Sequence, residues 1–283
     1  MKLGVSAFAW TAKFHREHLA LLPKIKEAGL DGLEIPMFDP TQLGVQEIRQ
    51  TFEANAVECT VCAILPDAVN PISPDAAVRK KSLEHLIACV ETSAALGARV
   101  LGGPLYAPIG YLPGHRPNKD EWLWAVEIFQ KLGEILDVHK MTLSIEPVNR
   151  SETFFLRTAK EAGSFCEAVG HPRIGVTIDT FHANIEERDI VHSIHSLGSR
   201  LKHMHLSEND RGPLGQGHVD FPGIVLALQQ IKYEGYLMIE GFGYSPDEKS
   251  APGFLWAETH VSPEDVAFKG AEYLRGLLNQ EMD

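Results

Sequence analysis

Residues 142–181 read TLSIEPVNRSETFFLRTAKEAGSFCEAVGHPRIGVTIDTF. A short apolar, β-branched run (TLSIEPV) leads through a polar connection into the helical segment TAKEAGSFCEAVG, and a second apolar run (IGVTIDTF) follows. Strand, helix and strand in this order make a βα unit whose two strands lie parallel. Gly170 closes the helical segment as a C-terminal cap.

The same alternation extends in both directions. Strand-like runs begin at Lys2 (KLGVSAF), Gly32 (GLEIPMF), Val57 (VECTVCAI), Val100 (VLGGPLY), Thr142, Ile174, Leu201 (LKHMHLS) and Tyr236 (YLMIEGFG), with helical segments between them. Eight strands over 283 residues give about 35 residues per unit, which fits a single (β/α)₈ TIM barrel. An open doubly wound sheet would announce itself by a glycine-rich phosphate loop after an early strand, and no G-x-G-x-x-G or P-loop pattern occurs. No linker or shift in composition divides the chain, so residues 1–283 are expected to form one domain. The Pro- and Gly-rich loop at 104–117, PLYAPIGYLPGHRP, belongs over an active site.

Composition narrows the classes of partner. A net charge of −12 repels phosphate backbones and anionic lipid, which argues against nucleic acid and membrane partners. No stretch reaches the ~20 apolar residues of a membrane span, and the N-terminus lacks the features of a secretory signal. Four scattered cysteines, Cys59, Cys62, Cys89 and Cys166, do not make a disulfide framework, so a reducing cytoplasm is expected. The Cys59-x-x-Cys62 pair lies in a strand-like run, where a spacing of three puts the two side chains on opposite faces.

In a parallel barrel the chemistry sits at the C-terminal ends of the strands. Glu146, Asp179, His205 and Glu240 all fall there, 33, 26 and 35 residues apart, on four successive strands. Singly, each could be a strand-end cap or salt bridge; together they converge on one point. Three carboxylates crowded into an apolar mouth would raise one another's pKa values unless a cation neutralised them. The set therefore predicts a site for one divalent metal ion, and without a thiolate it suits Mn²⁺, Mg²⁺ or Co²⁺ better than structural zinc.

The motifs around these residues are distinctive: IEPVNRSETFF at 145–155, IDTFHANIEE at 178–187 and HMHLSENDRG at 203–212. On them the chain resembles the xylose-isomerase-like barrel superfamily, and within it the D-tagatose 3-epimerase group of ketose 3-epimerases, which includes D-allulose (psicose) and L-ribulose 3-epimerases. The resemblance runs over essentially the whole chain. It implies an isomerase of carbohydrate metabolism, a metal-dependent epimerase acting at C3 of a free ketose of the D-tagatose, D-allulose/D-fructose or L-ribulose type. It implies a metal, manganese first and cobalt or magnesium after it, held by Glu146, Asp179, His205 and Glu240. Glu146 and Glu240 would be the catalytic pair, flanking C3 and exchanging protons through an enediolate that the metal stabilises. Glu152, His182 and Arg211 would bind the substrate near C1 and C2. Family members commonly form homodimers or homotetramers, and the resemblance implies the same homo-oligomer for this chain.

Other residues read less sharply. His203 shares a strand face with His205 and reads as a hydrogen-bond partner or packed core more than a ligand. Glu34, at the end of the second strand, is placed either to reach the mouth or to make a structural salt bridge. Phe8, Trp10, Tyr106 and Phe242 could line a sugar pocket or fill the core, and Trp122 and Trp124 read as packing or a subunit interface. Arg211, Arg150 and Arg157 are the cations that could meet a phosphorylated substrate. Rival readings are another isomerase of the superfamily, such as a hydroxypyruvate isomerase, inosose dehydratase or sugar-phosphate isomerase/epimerase, a metal-dependent endonuclease, which the charge disfavours, and a non-catalytic sugar-binding protein.

Overall fold

A computed structural model describes residues 1–242 and 261–279; the expected single domain over 1–283 includes residues 243–260 and 280–283, which lie outside the described residues. Eight parallel strands close on themselves in sequence order: β1 (Lys2–Ser6), β2 (Gly32–Met37), β3 (Glu58–Ala63), β4 (Val100–Gly103), β5 (Thr142–Ile145), β6 (Ile174–Asp179), β7 (Leu201–Leu206) and β8 (Tyr236–Ile239), with β8 pairing back onto β1. Outside lie α1 (Leu21–Glu27), α2 (Val45–Asn55), α3 (Ala76–Ala95), α4 (Lys119–His139), α5 (Ala159–Val169), α6 (Thr180–Glu186), α7 (Ile190–Leu197), α8 (Phe221–Gln230) and α9 (Gly270–Leu278). This is the (β/α)₈ barrel that the eight apolar runs predict. Among the described residues no helix is long and apolar enough to cross a membrane.

Local chemistry sets the helix ends. Asn118 and Glu121 form a reciprocal capping box at the start of α4, and Thr158 and Glu161 form another at α5. Gly170 ends α5 at φ +72°, as its glycine predicts. The strands are shorter than their apolar runs. β6 stops at Asp179 because that carboxylate accepts a hydrogen bond from the Phe181 N–H at 2.9 Å and starts α6. Pro147, following Glu146, has no N–H with which to continue a ladder.

Alternate strand residues face two different environments. Outward lie Leu33, Ile35, Val61, Leu101, Leu143, Ile145, Val176, Leu206 and Ile239, all fully buried against the helices in one large core. Burying each such side chain contributes roughly 1.5–3 kcal/mol. Inward, where barrels usually stack bulky branched side chains, the lumen holds Glu34, Thr60, Gly102, Ser144, Thr177 and His203. Ser144 and Thr177 hydrogen-bond to each other at 2.7 Å. Cys59 joins the outer core and Cys62 the inner side, and all four cysteines are buried and unpaired.

Gly103 ends β4 at φ +125°, and a Cβ there would collide with the carbonyl oxygen of Ala63. Its own carbonyl accepts the Glu146 N–H at 3.1 Å, so this glycine also seats a strand-end glutamate. Gly103→Ala is expected to destabilise the chain by about 2 kcal/mol or more, measurable as a lower urea midpoint.

Candidate active site

The ends of the last four strands meet at one cleft. Glu146, Glu152, His182, Arg211 and Glu240 supply its polar lining; Phe8, Cys62, Ile64, Pro104, Ile109, Val148 and Phe242 supply the apolar part. Glu146 follows β5 and Glu240 follows β8, whose backbone N–H is held by the Leu206 carbonyl at 2.9 Å. Both approach His205, whose Nδ1 is 3.4 Å from Glu146 Oε1 and 3.5 Å from Glu240 Oε1.

Asp179 serves two neighbours at once. While Oδ1 caps α6, Oδ2 faces Arg211 Nη1 at 2.9 Å and His182 Nε2 at 3.5 Å. Arg211 sits in the left-handed region at φ +61°, with its backbone N–H bonded to the Glu208 carbonyl at 3.0 Å. Its Nη1 donates to Asp179, to Glu240 Oε2 at 2.7 Å and to Ser207 Oγ at 2.5 Å, and the guanidinium packs 4.0 Å from the centre of the Phe181 ring and 4.7 Å from that of Phe242. Its Nε–H is buried without a hydrogen-bond partner.

Glu152 and His182 are oriented by Asn149, a residue the sequence reading did not single out. The Asn149 side-chain amide donates to Glu152 Oε1 at 2.9 Å and lies 2.9 Å from His182 Nδ1, while its backbone N–H reaches the same nitrogen at 3.2 Å. Two donors on Nδ1 make that nitrogen the acceptor and leave the ring proton on Nε2. The signal for Asn149 was its place three residues before Glu152 in E-P-V-N-R-S-E.

Burial drives the electrostatics of the cleft. It pushes Glu240 up to about 8, against the charges of His205 and Arg211, and it raises Glu152. Burial opposes ionisation of Asp179 too, but Arg211, His182 and His205 hold that carboxyl below its ordinary range. Burial also opposes charge on His205, and the nearby Glu34, Glu240 and Glu146 outweigh it and raise the ring well above its ordinary value. Cys62 is pushed well upward by burial and stays a thiol.

These residues fit a divalent cation. Ligand atoms of Glu146, His205 and Glu240 lie within 4.8 Å of one another, as do those of Glu146, Asp179 and His182; Glu34, Cys62 and His205 form a third such group. Glu146 joins the first two trios. Asp179 enters the cluster through Glu146 and the shared Arg211, not as a direct neighbour of all three other predicted ligands. The buried Nδ1 of His205 has no hydrogen-bond partner, which suits a nitrogen that ligates a metal.

The structure decides between alternatives the sequence left open. Tyr106 does not line the cleft: it is fully buried, with its hydroxyl donating to the Leu156 carbonyl at 2.8 Å. Trp10 packs on Phe268 with its indole N–H on Glu264, whereas Phe8 and Phe242 do line the cleft, 5.2 Å apart. Trp122 packs against Phe155 and Phe165, and Trp124 carries Arg79 on its ring. Arg150 pairs with Glu186 and Arg157 with Glu161, so of the three arginines Arg211 is the one lining the cleft. The 104–117 loop contributes Pro104 and Ile109 and is tied down by the Gly110 N–H on the Glu152 carbonyl at 2.7 Å.

Known proteins share this architecture and sequence. A ketose 3-epimerase of Arthrobacter globiformis is 31% identical over 98% of this chain and 97% of its own. A probable ketose 3-epimerase of Synechocystis sp. is 29% identical over 97% and 96%. The crystal structure of a D-allulose 3-epimerase from Methylomonas sp. in complex with D-allulose superposes with a TM-score of 0.91 at 28% identity, covering 98% of this chain and 96% of that one. Residues 22–277 match the xylose isomerase-like TIM barrel family, and the chain belongs to that family.

Proposed function

We propose that this chain is a metal-dependent ketose 3-epimerase, an isomerase that inverts C3 of a free ketose of the D-tagatose, D-allulose/D-fructose or L-ribulose type. The observation that carries the reading is the pair Glu146 and Glu240, two carboxylates that both line one cleft and both approach His205 Nδ1, at 3.4 and 3.5 Å. Relatives named ketose 3-epimerase along nearly the whole chain support it.

Inverting C3 takes one group to remove the proton beside the carbonyl and another to return a proton to the opposite face. Glu146 and Glu240 do this in turn: one carboxylate takes the C3 proton, leaving an enediolate, and the other donates to the far side. Exchange of roles makes the reaction reversible. His182 donates from Nε2 and Arg211 from Nε to substrate oxygens near C1 and C2, and Glu152 orients the same end. Phe8 and Phe242 cover the apolar face of the sugar. With Arg211 the sole arginine or lysine among the described lining residues, and already on two carboxylates, the cleft favours a free sugar over a phosphorylated one. Glu146, Asp179, His205 and Glu240 would hold one divalent ion, Mn²⁺ in the first place and Co²⁺ or Mg²⁺ after it. When bound, such an ion supplies a Lewis acid for the carbonyl and hydroxyl oxygens. Its four scattered cysteines support a cytoplasmic setting, a homodimer or homotetramer is proposed for it, and its acidic charge supports neither nucleic acid nor membrane as a partner.

Solvent deuterium settles the reaction. Fructose, tagatose and ribulose incubated in D₂O are expected to take up label at C3; label at C1 instead would identify an aldose–ketose isomerase and overturn the reading.

Stability adds a pH test. Glu240 moves from its ordinary 4.5 to about 8, and His205 rises above 6.5, so in this window the folded, metal-free chain binds more protons than the unfolded one. The part of the stability these two groups contribute is full below about 4.5 and falls as pH rises toward 8. A cation displaces those protons, so saturating Mn²⁺ is expected to offset the fall, more strongly at higher pH. Melting curves at about pH 5, 6.5 and 8 with chelator or Mn²⁺ measure both slopes. Metal-free stability climbing across that range would contradict the assignment.

A further inference from the structure

Below the two glutamates lies a third carboxylate that is not part of the cleft lining. Glu34, on β2, is fully buried and reaches across the lumen to β7. On the barrel β1 and β8 stand between these strands, so no ladder bond joins them. Oε2 of Glu34 accepts from His203 Nε2 at 2.9 Å and from Thr60 Oγ1 at 3.2 Å, while Oε1 lies 2.9 Å from His205 Nε2. Neither of these two atoms has another hydrogen-bond partner, so the Glu34 carboxylate faces the Nε2 edge of the ring at close range.

A carboxylate beside Nε2 keeps the ring hydrogen on that nitrogen and leaves Nδ1 to bind a metal. In His205 that other nitrogen is the unpartnered Nδ1 facing Glu146 and Glu240. Burying an ionised carboxylate away from water is unfavourable, and an apolar side chain would fill the space at less cost; a role tied to His205 accounts for its presence. Glu34 is also braced. His203 and Thr60 both hold Oε2.

We propose that Glu34 is a positioning residue of this site, setting the tautomer and ring angle of His205 so that Nδ1 meets the metal, with His203 and Thr60 fixing Glu34 in turn. The inference rests on reading Glu146, Asp179, His205 and Glu240 as the metal centre.

Calorimetric titration of Mn²⁺ into the full, metal-stripped chain tests it. Glu34→Gln is expected to weaken Mn²⁺ binding about 10–100-fold and to shift the visible spectrum of the Co²⁺-loaded protein, with the circular dichroism unchanged. A structural role alone would lower the unfolding temperature and leave the affinity and the spectrum as they were. Thr60→Val keeps the charge and removes one brace, so it remains informative if Glu34→Gln does not fold; a few-fold weakening is expected. Wild-type affinity in a folded Glu34→Gln, or in Thr60→Val should the first not fold, overturns the role of Glu34 and leaves the metal centre standing. A wild-type chain that does not bind Mn²⁺ overturns the metal centre itself, and this inference with it.

Discussion

Glu240→Gln is expected to lose ketose epimerisation by at least about 10³-fold in kcat, with an unfolding temperature close to that of the wild type. The backbone of residue 240 is held by Leu206 whatever its side chain, and an amide keeps the shape of the carboxylate. Removing the buried charge also relieves the desolvation that pushes Glu240 upward. Glu146→Gln is expected to be equally inactive in net inversion. The two variants differ in a finer respect: each retains one carboxylate, so each is expected to wash solvent deuterium into C3 of only one epimer, and into opposite ones. Full epimerase activity in either variant would sink the two-glutamate mechanism.

Chelation is expected to have the second large effect. Stripping the ion leaves Glu146, Asp179 and Glu240 around an imidazole and one guanidinium, with the buried Nδ1 of His205 unpartnered. Activity is expected to fall to background and to return on adding Mn²⁺. An ion present at 100 times its dissociation constant stabilises the folded state by about 2.7 kcal/mol, so the unfolding temperature is expected to drop roughly 5 °C or more on its removal. Undiminished turnover after exhaustive dialysis against chelator would contradict a metal-dependent reaction.

Most of the fold was legible because strands and helices carry different periods. Eight apolar runs at regular intervals, punctuated by glycines such as Gly170, have few other solutions. Glu146, Asp179, His205 and Glu240 stood out because each falls near the C-terminal end of such a run. What lies across the barrel did not. Glu34 and His203 are 169 residues apart, and nothing local to either tells of the other, so a strand-end carboxylate stayed open between mouth and salt bridge until the lumen was seen. Tyr106 and Trp10 stayed open for a related reason: an aromatic at a strand end suits a sugar face and a core equally well, and only the three-dimensional packing separates them. Asn149 went unremarked because an uncharged amide in a loop carries no titration or ligand signature of its own.

The two faces of each strand amount to two texts interleaved in a single line of sequence. Alternate letters, Leu33 and Ile35, Leu143 and Ile145, hold the molecule together; the letters between, Glu34, Ser144 and Glu146, face the lumen and its mouth. A scaffold written in this way can be edited in one text while the other stays intact. New chemistry at the mouth then requires no new architecture, and architectural repair does not disturb the chemistry.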